Sequence, residues 1–316
     1  MENDPPEDAD ARGTIDLVGH VIVPARELDP LLTPVSNVIV TAKTSTGAWI
    51  EAISRLIGPA RARFRSTYFQ WAMAINGLHL AADRYAQKDF NANKQFIITG
   101  IRYDNAANKH TKVNLAEWGG EKAASAHRAT IPKMAAWGYI EMFAVLEKFV
   151  FEMYREFLGY QPETIIDGPD FAALRRLRRE AENDKVKQEE WEKAWAARLD
   201  AWHRKRLYDS LHKVFRAFFA VSGLREPKRF TKTTVDSWAE TIEGIALVRH
   251  LLVHGEDTVP EPLERFCGKP HNLGFNFKAG SPLRVDLVHL QSVETFCHEL
   301  LNALNESLVE HPDAMK

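Results

Sequence analysis

Arg249, His250 and His254 stand close together in the chain, an arginine and two histidines. A guanidinium is permanently charged, and its planar fork grips an anion through two hydrogen bonds. An imidazole exchanges a proton near neutral pH and so serves as general acid or general base. The combination suits proton transfer beside an anionic centre. Metal binding is the competing chemistry. His250 and His254 have a zinc-binding spacing, but Leu251 occupies the place of the glutamate in a His-Glu-x-x-His site. A third ligand would have to come from Glu256, Asp257 or His271, so neither a metal nor a cofactor is expected. Structural roles are also open to these residues. A histidine before a capping glycine is favourable at the negative end of a helix, and Arg249 has Glu243, Glu256 and Asp257 as carboxylates in reach.

The element that must carry them runs from Ser237 to Gly255. Trp238, Ile242, Ile245, Leu252 and Val253 recur at helical spacing, and Gly255 falls where a left-handed cap ends a helix. Most of the remaining chain is helical in pattern. A helix is predicted over Ala48–Ile57, stopped by Gly58-Pro59, and a second from Pro59 to Gln87 with Phe64, Tyr68, Trp71, Ile75, Leu78 and Ala82 inward. Pro132 opens the longest clean helix, to Gly159. Trp137, Ile140, Phe143, Ala144, Phe149, Phe151, Tyr154 and Leu158 make it apolar around much of its girth, as in a central bundle helix.

From Asp170 the pattern stays helical but highly charged, with Trp191, Trp195, Leu199 and Trp202 as a packing seam. Leu207–Val221 returns to core character and ends at Gly223, and Gln291–Val309 makes a last amphipathic helix. Short β segments are expected at Ile15–Val23, Val35–Val40 and Phe96–Tyr103, with a small hairpin joining Leu273–Phe277 to Leu283–Leu287. Asn105–Gly120 is polar and turn-rich, a junction between subdomains.

A chain of 316 residues that is 45% hydrophobic buries a full core, and its net charge of −2 leaves any attraction to phosphate to local basic patches. Cys267 and Cys297 lie far apart and form no metal-type or redox-type pair, which suggests a reducing compartment. The start, Met1 to Asp10, is acidic and rich in proline where a signal peptide needs a basic start and an apolar run. No uninterrupted apolar stretch spans a bilayer. A cytoplasmic protein without a membrane partner is expected.

Arg-x4-His alone is weak, because Arg198 with His203 and Arg284 with His289 repeat it. Context separates them. Only Arg249 is followed by a polar residue, and only His254 stands at the glycine-capped end of an apolar helix. Arg249-His250-Leu251-Leu252-Val253-His254 resembles the Arg-polar-x3-His motif of the HEPN superfamily, small helical domains of prokaryotic toxins, CRISPR ribonucleases and anti-phage systems. The aromatic helix Ala135–Leu158, with Glu141, Glu147 and Glu152, is similar to the opening helix of these domains, and Arg284–Val309 resembles their C-terminal end.

The resemblance covers roughly Thr130 to Glu310 and implies a HEPN-like helical bundle. The expected fold is mainly α, that bundle with a few short β segments over 121–316, after a mostly helical region of unassigned role over 13–120. The tail over 1–12 is expected to be disordered because it is charged with little to bury. The resemblance also implies metal-independent cleavage of RNA to 2′,3′-cyclic phosphate and 5′-hydroxyl ends. In that chemistry His254 serves as acid or base, Arg249 holds the phosphate and His250 orients the pair or touches substrate. On a regular helix Arg249 and His254 lie about 140° apart. They converge only if the helix end unwinds at Gly255 or if two copies meet, and the family commonly forms homodimers through this helix. RNA is the expected substrate, with an antitoxin or regulatory protein as further partner. The loop bearing Arg225, Lys228, Arg229 and Lys232 has few acids and leads into the helix, so it is the expected RNA-backbone contact. The alternative is a non-catalytic HEPN-like module that binds a nucleotide or a protein.

Overall fold

The computed structural model describes residues 38–315. The tail at 1–12, the segment Ile15–Val23 and the first part of Val35–Val40 lie outside them. Among the described residues the fold is mainly α. No helix among them is long and apolar enough to cross a membrane. Helix α1 spans Ala48–Ala86, α2 Lys88–Asn93, α3 Gly120–Tyr160, α4 Glu163–Ile166, α5 Ala172–Ala181, α6 Lys185–Arg206, α7 Leu211–Ser222, α8 Val235–His254, α9 Glu261–Cys267 and α10 Leu287–Glu310. Strands β1, Phe96–Asp104, and β2, Lys109–Trp118, form one antiparallel sheet.

Both long helices overrun the prolines expected to bound them. Pro59 lies inside α1 and Pro132 inside α3. Proline removes one i→i−4 hydrogen bond, here to the carbonyl of Arg55 or of Arg128. The buried faces explain the continuity. Ile50, Ile53, Ile57, Ala60 and Phe64 keep one stripe covered through Pro59, and Ala123, Ala124, Ile131, Ala135 and Tyr139 do so through Pro132. Tertiary packing outweighs the missing bond.

The chain divides into two compact units. Among the described residues, one comprises 67–139 and 284–291, and the other comprises 38–66, 140–283 and 292–315. In the first, Tyr85 meets Phe90, Phe96 and His127 at ring-centroid distances of 5.0–5.1 Å. The stretch expected to be a polar junction is a short turn followed by a strand. Asp104 Oδ1 accepts from the amides of Ala106 and Ala107 to close the turn, and β2 follows. Trp137, expected in the core, is 62% exposed. The inward rows pass through Ala135, Tyr139 and Met142, so Trp137 falls out of phase with them.

In the second unit the later part of α3 is the central helix, with Met142, Leu146, Val150, Met153 and Leu158 fully covered. Tyr154 meets Trp202 at 4.8 Å and Phe218 at 5.6 Å, and Phe157 meets Trp49 at 5.1 Å, mostly edge to face. The charged region resolves into α5 and α6. Asp184 starts α6 by accepting from the amides of Val186 and Lys187. Leu199 and Trp202 are buried, whereas Trp191 and Trp195 are half-buried and stack on each other 5.4 Å apart.

The hairpin expected from Leu273–Phe277 and Leu283–Leu287 does not form. Phe275 and Phe277 bury their rings outside any strand, an isolated bridge joins Thr258 to Pro282, and Leu287 already belongs to α10. Helix α9 was not visible as periodicity, because Pro260 and Pro262 make its stretch look like loop.

Candidate functional site

Helix α8 begins on a capping box. Thr234 Oγ1 accepts from the amide of Ser237, and Ser237 Oγ accepts from the amide of Thr234. Its inner face buries Trp238, Ala239, Thr241, Ile242, Gly244, Ile245, Val248 and Leu251. Gly244 is required by contact. A Cβ there would lie under 3.0 Å from three ring atoms of Phe266, so the α9 ring seats directly on the α8 backbone.

The helix stays regular to its end. Gly255 adopts φ 70°, its amide donates to Leu252, and the amide of Glu256 donates to Leu251 at 3.0 Å. The end therefore does not unwind within one chain. His250 and His254 are both exposed and their rings lie 4.3 Å apart. Arg249 leaves on another side. Its guanidinium rests over Phe143 of α3, 5.3 Å from the ring centroid, and its Nε is buried without a hydrogen-bond partner. None of Glu243, Glu256 and Asp257 bonds it. One chain thus brings His250 and His254 together but leaves Arg249 about 140° around the helix from His254.

The other two Arg-x4-His pairs are occupied. Arg198 donates from Nε and Nη2 to the Ile165 carbonyl, at 3.1 and 2.6 Å, and covers the ring of Phe171. Arg284 Nε donates to Asp286 at 3.0 Å. Arg249 is the arginine of the three without such a bond.

No protein-family model matches this chain, and neither a curated protein nor a solved structure matches it.

The basic loop is arranged differently from its sequence appearance. Arg225, Lys228, Arg229 and Lys232 are all exposed. Two acids of α10 approach them, however. Arg229 forms an ion pair with Glu306, and the amide of Lys228 donates to both carboxylate oxygens of Glu310 at 3.2 Å. Lys228, Arg225, Glu226, Glu310 and His311 line a cavity of about 580 Å³. The loop also enters α8 at the far end from the motif, since Val235 and Arg249 are separated by about 21 Å of helix. The two features belong to opposite ends of α8.

His271, considered above as a third metal ligand, instead donates from Nε2 to Glu240 at 2.8 Å, and Lys269 Nζ meets the same carboxylate at 2.9 Å. The Lys269 hydrogen bond, with His271 beside it, holds the Glu240 carboxyl below its usual range. Glu240 lies about 21 Å along α8 from His254. Among the described residues no three His, Cys, Asp or Glu side chains converge on a point. Phe143 and Glu240 were invisible as site neighbours because their relation to α8 is purely tertiary.

Proposed function

We propose that the chain is a metal-independent endoribonuclease of HEPN type, working as a homodimer through α8, and that it serves as a toxin or defence effector restrained by a protein partner. The observation that carries the reading is Arg249: a half-buried guanidinium without a carboxylate, near an exposed histidine pair at a capped helix end. A cation held in this way is available to a substrate phosphate.

A second copy suits the outer face of α8, the face centred on Leu247 and turned about 160° away from Arg249. Asp236, Glu240, Glu243, Leu247, His250 and His254 follow one another at helical spacing, acidic in the first half and histidine-bearing in the second. Two such helices running antiparallel about Leu247 set Glu240 opposite the partner's His254 and Glu243 beside the partner's His250. The sequence of charges is self-complementary, as a two-fold interface requires, while within the chain Glu240 already meets His271 and Lys269 and Asp236 meets Arg216.

In the proposed reaction one histidine takes the 2′-hydroxyl proton, and the 2′-oxygen bonds to phosphorus. The 5′-oxygen leaves with a proton from a second histidine, while Arg249 neutralises the phosphorane. A second reading, a non-catalytic binding module, draws on the contact between Arg249 and Phe143, which is also good packing. Incubation of cellular RNA in EDTA with wild type and His254→Ala separates them. Cyclic phosphate and 5′-hydroxyl ends from wild type alone support the nuclease; intact RNA with both supports the module.

A further inference from the structure

A second cavity, of about 370 Å³, opens along the first half of α8. That is within the size range of sites that enclose a small organic molecule. Its walls are Phe230, Trp238, Phe296 and Leu300, an aromatic and aliphatic box, with Glu299 on the wall as a carboxylate. Trp238 and Leu300 are buried parts of the core, so those walls are fixed.

The polar groups narrow the ligand class. An anion finds little here, although the cavity adjoins the start of a helix. The amides of Thr234, Val235 and Ser237 are already bonded, to Ser237 Oγ, Glu226 and Thr234 Oγ1. His271 commits its Nε2 to Glu240, and Thr241 Oγ1 sits within donating distance of the carbonyls of Ser237 and His271. What remains is one accepting group on the wall, the exposed Glu299 carboxylate, whose charge also acts on the Arg61 guanidinium. Thr233 Oγ1 is buried at this wall with no hydrogen-bond partner, which is unusual for a native hydroxyl. Leu273, whose side chain also lines the cavity, holds φ at 63°, a left-handed conformation that bulky residues rarely adopt.

We infer that this cavity binds a small planar aromatic molecule carrying an ammonium or N–H donor, its ring between Phe230, Trp238 and Phe296 and its donor directed to Glu299. The inference does not depend on the nuclease reading, and failure of RNA cleavage does not bear on it.

Calorimetric titration of the full chain with three probes sharing one ring system tests it: tryptamine, indole and indole-3-acetate. Tryptamine is expected to bind saturably and at least tenfold more tightly than indole, and indole-3-acetate not to bind. Glu299→Gln, at an exposed position, is expected to weaken tryptamine about tenfold and leave indole unchanged. Leu300→Trp, which fills the cavity, is expected to abolish both. Absence of saturable tryptamine binding to wild type overturns the proposal, as does indole-3-acetate binding as well as tryptamine. Unchanged tryptamine affinity in Glu299→Gln overturns it too, and that variant serves even if Leu300→Trp fails to fold.

Discussion

The guanidinium of Arg249 lies 5.3 Å from the ring centroid of Phe143, and its Nε is buried without a hydrogen-bond partner. The aromatic face holds the charge in place without neutralising it. If Arg249 stabilises the phosphorane, Arg249→Ala lowers RNA cleavage by about 10²–10³-fold. Arg249→Lys restores only part of it, because an ammonium lacks the two-pronged geometry. Gel assays beside circular dichroism check this, and undiminished cleavage by a folded Arg249→Ala removes the residue from the reaction.

His254→Ala is expected to cost about 10²–10⁴-fold in rate, the usual worth of one positioned proton transfer. His250→Ala should cost less, since its role is to orient or to touch substrate. Both side chains are exposed, so the melting temperatures of the variants should match that of wild type. A large drop in melting temperature would assign these histidines to structure.

The two-fold arrangement about Leu247 places Glu243 near the partner's His250. Glu243→Lys removes that carboxylate and sets an ammonium in its place, and should raise the dimer dissociation constant at least tenfold. Cleavage at low protein concentration should fall in parallel. Sedimentation velocity gives the first quantity, and a wild type that is monomeric at every concentration rejects the homodimer.

Gly244 faces the ring of Phe266 too closely for any side chain. Gly244→Ala should destabilise the fold by about 1–3 kcal/mol through overpacking. Combination with Phe266→Leu should recover part of that loss in urea unfolding, because the two positions share one contact. Additive losses would show that the ring is not what excludes the methyl group.

His289 gives stability a pH dependence. Burial pushes its imidazole below the ordinary histidine value, with the Asp286 carboxylate opposing. Its Nδ1 accepts from the Asp286 amide at 3.0 Å, which only the unprotonated ring can do. The folded state thus binds the proton less readily than the unfolded state. The contribution is full above the unfolded value and is lost as pH falls below about 6.5 toward the folded one. Thermal melts from about pH 7.5 to pH 5 should show the decline, and His289→Asn should flatten it.

Helical character was legible wherever apolar residues kept a 3.6-residue period, as along α8 and the later part of α3, and where a glycine ended the run, as at Gly223 and Gly255. Local signals misled where packing overrode them. Pro59 and Pro132 look like boundaries, yet each lies within a helix whose buried stripe continues past it. Phe275 and Phe277 look like a strand because they alternate, but alternation records burial and not pairing. The histidine pair follows from i, i+4 geometry alone. Phe143 beneath Arg249, Glu306 and Glu310 against the basic loop, and His271 on Glu240 are long-range meetings that no spacing encodes.

The prolines within α1 and α3 also govern how those helices bend. A helix resists flexure through its ladder of hydrogen bonds, and each of these has one rung missing, at the carbonyls of Arg55 and Arg128. Compliance is therefore concentrated at two points. Mechanically, each long helix is a pair of stiff rods in series, and thermal flexing collects at the joint between them.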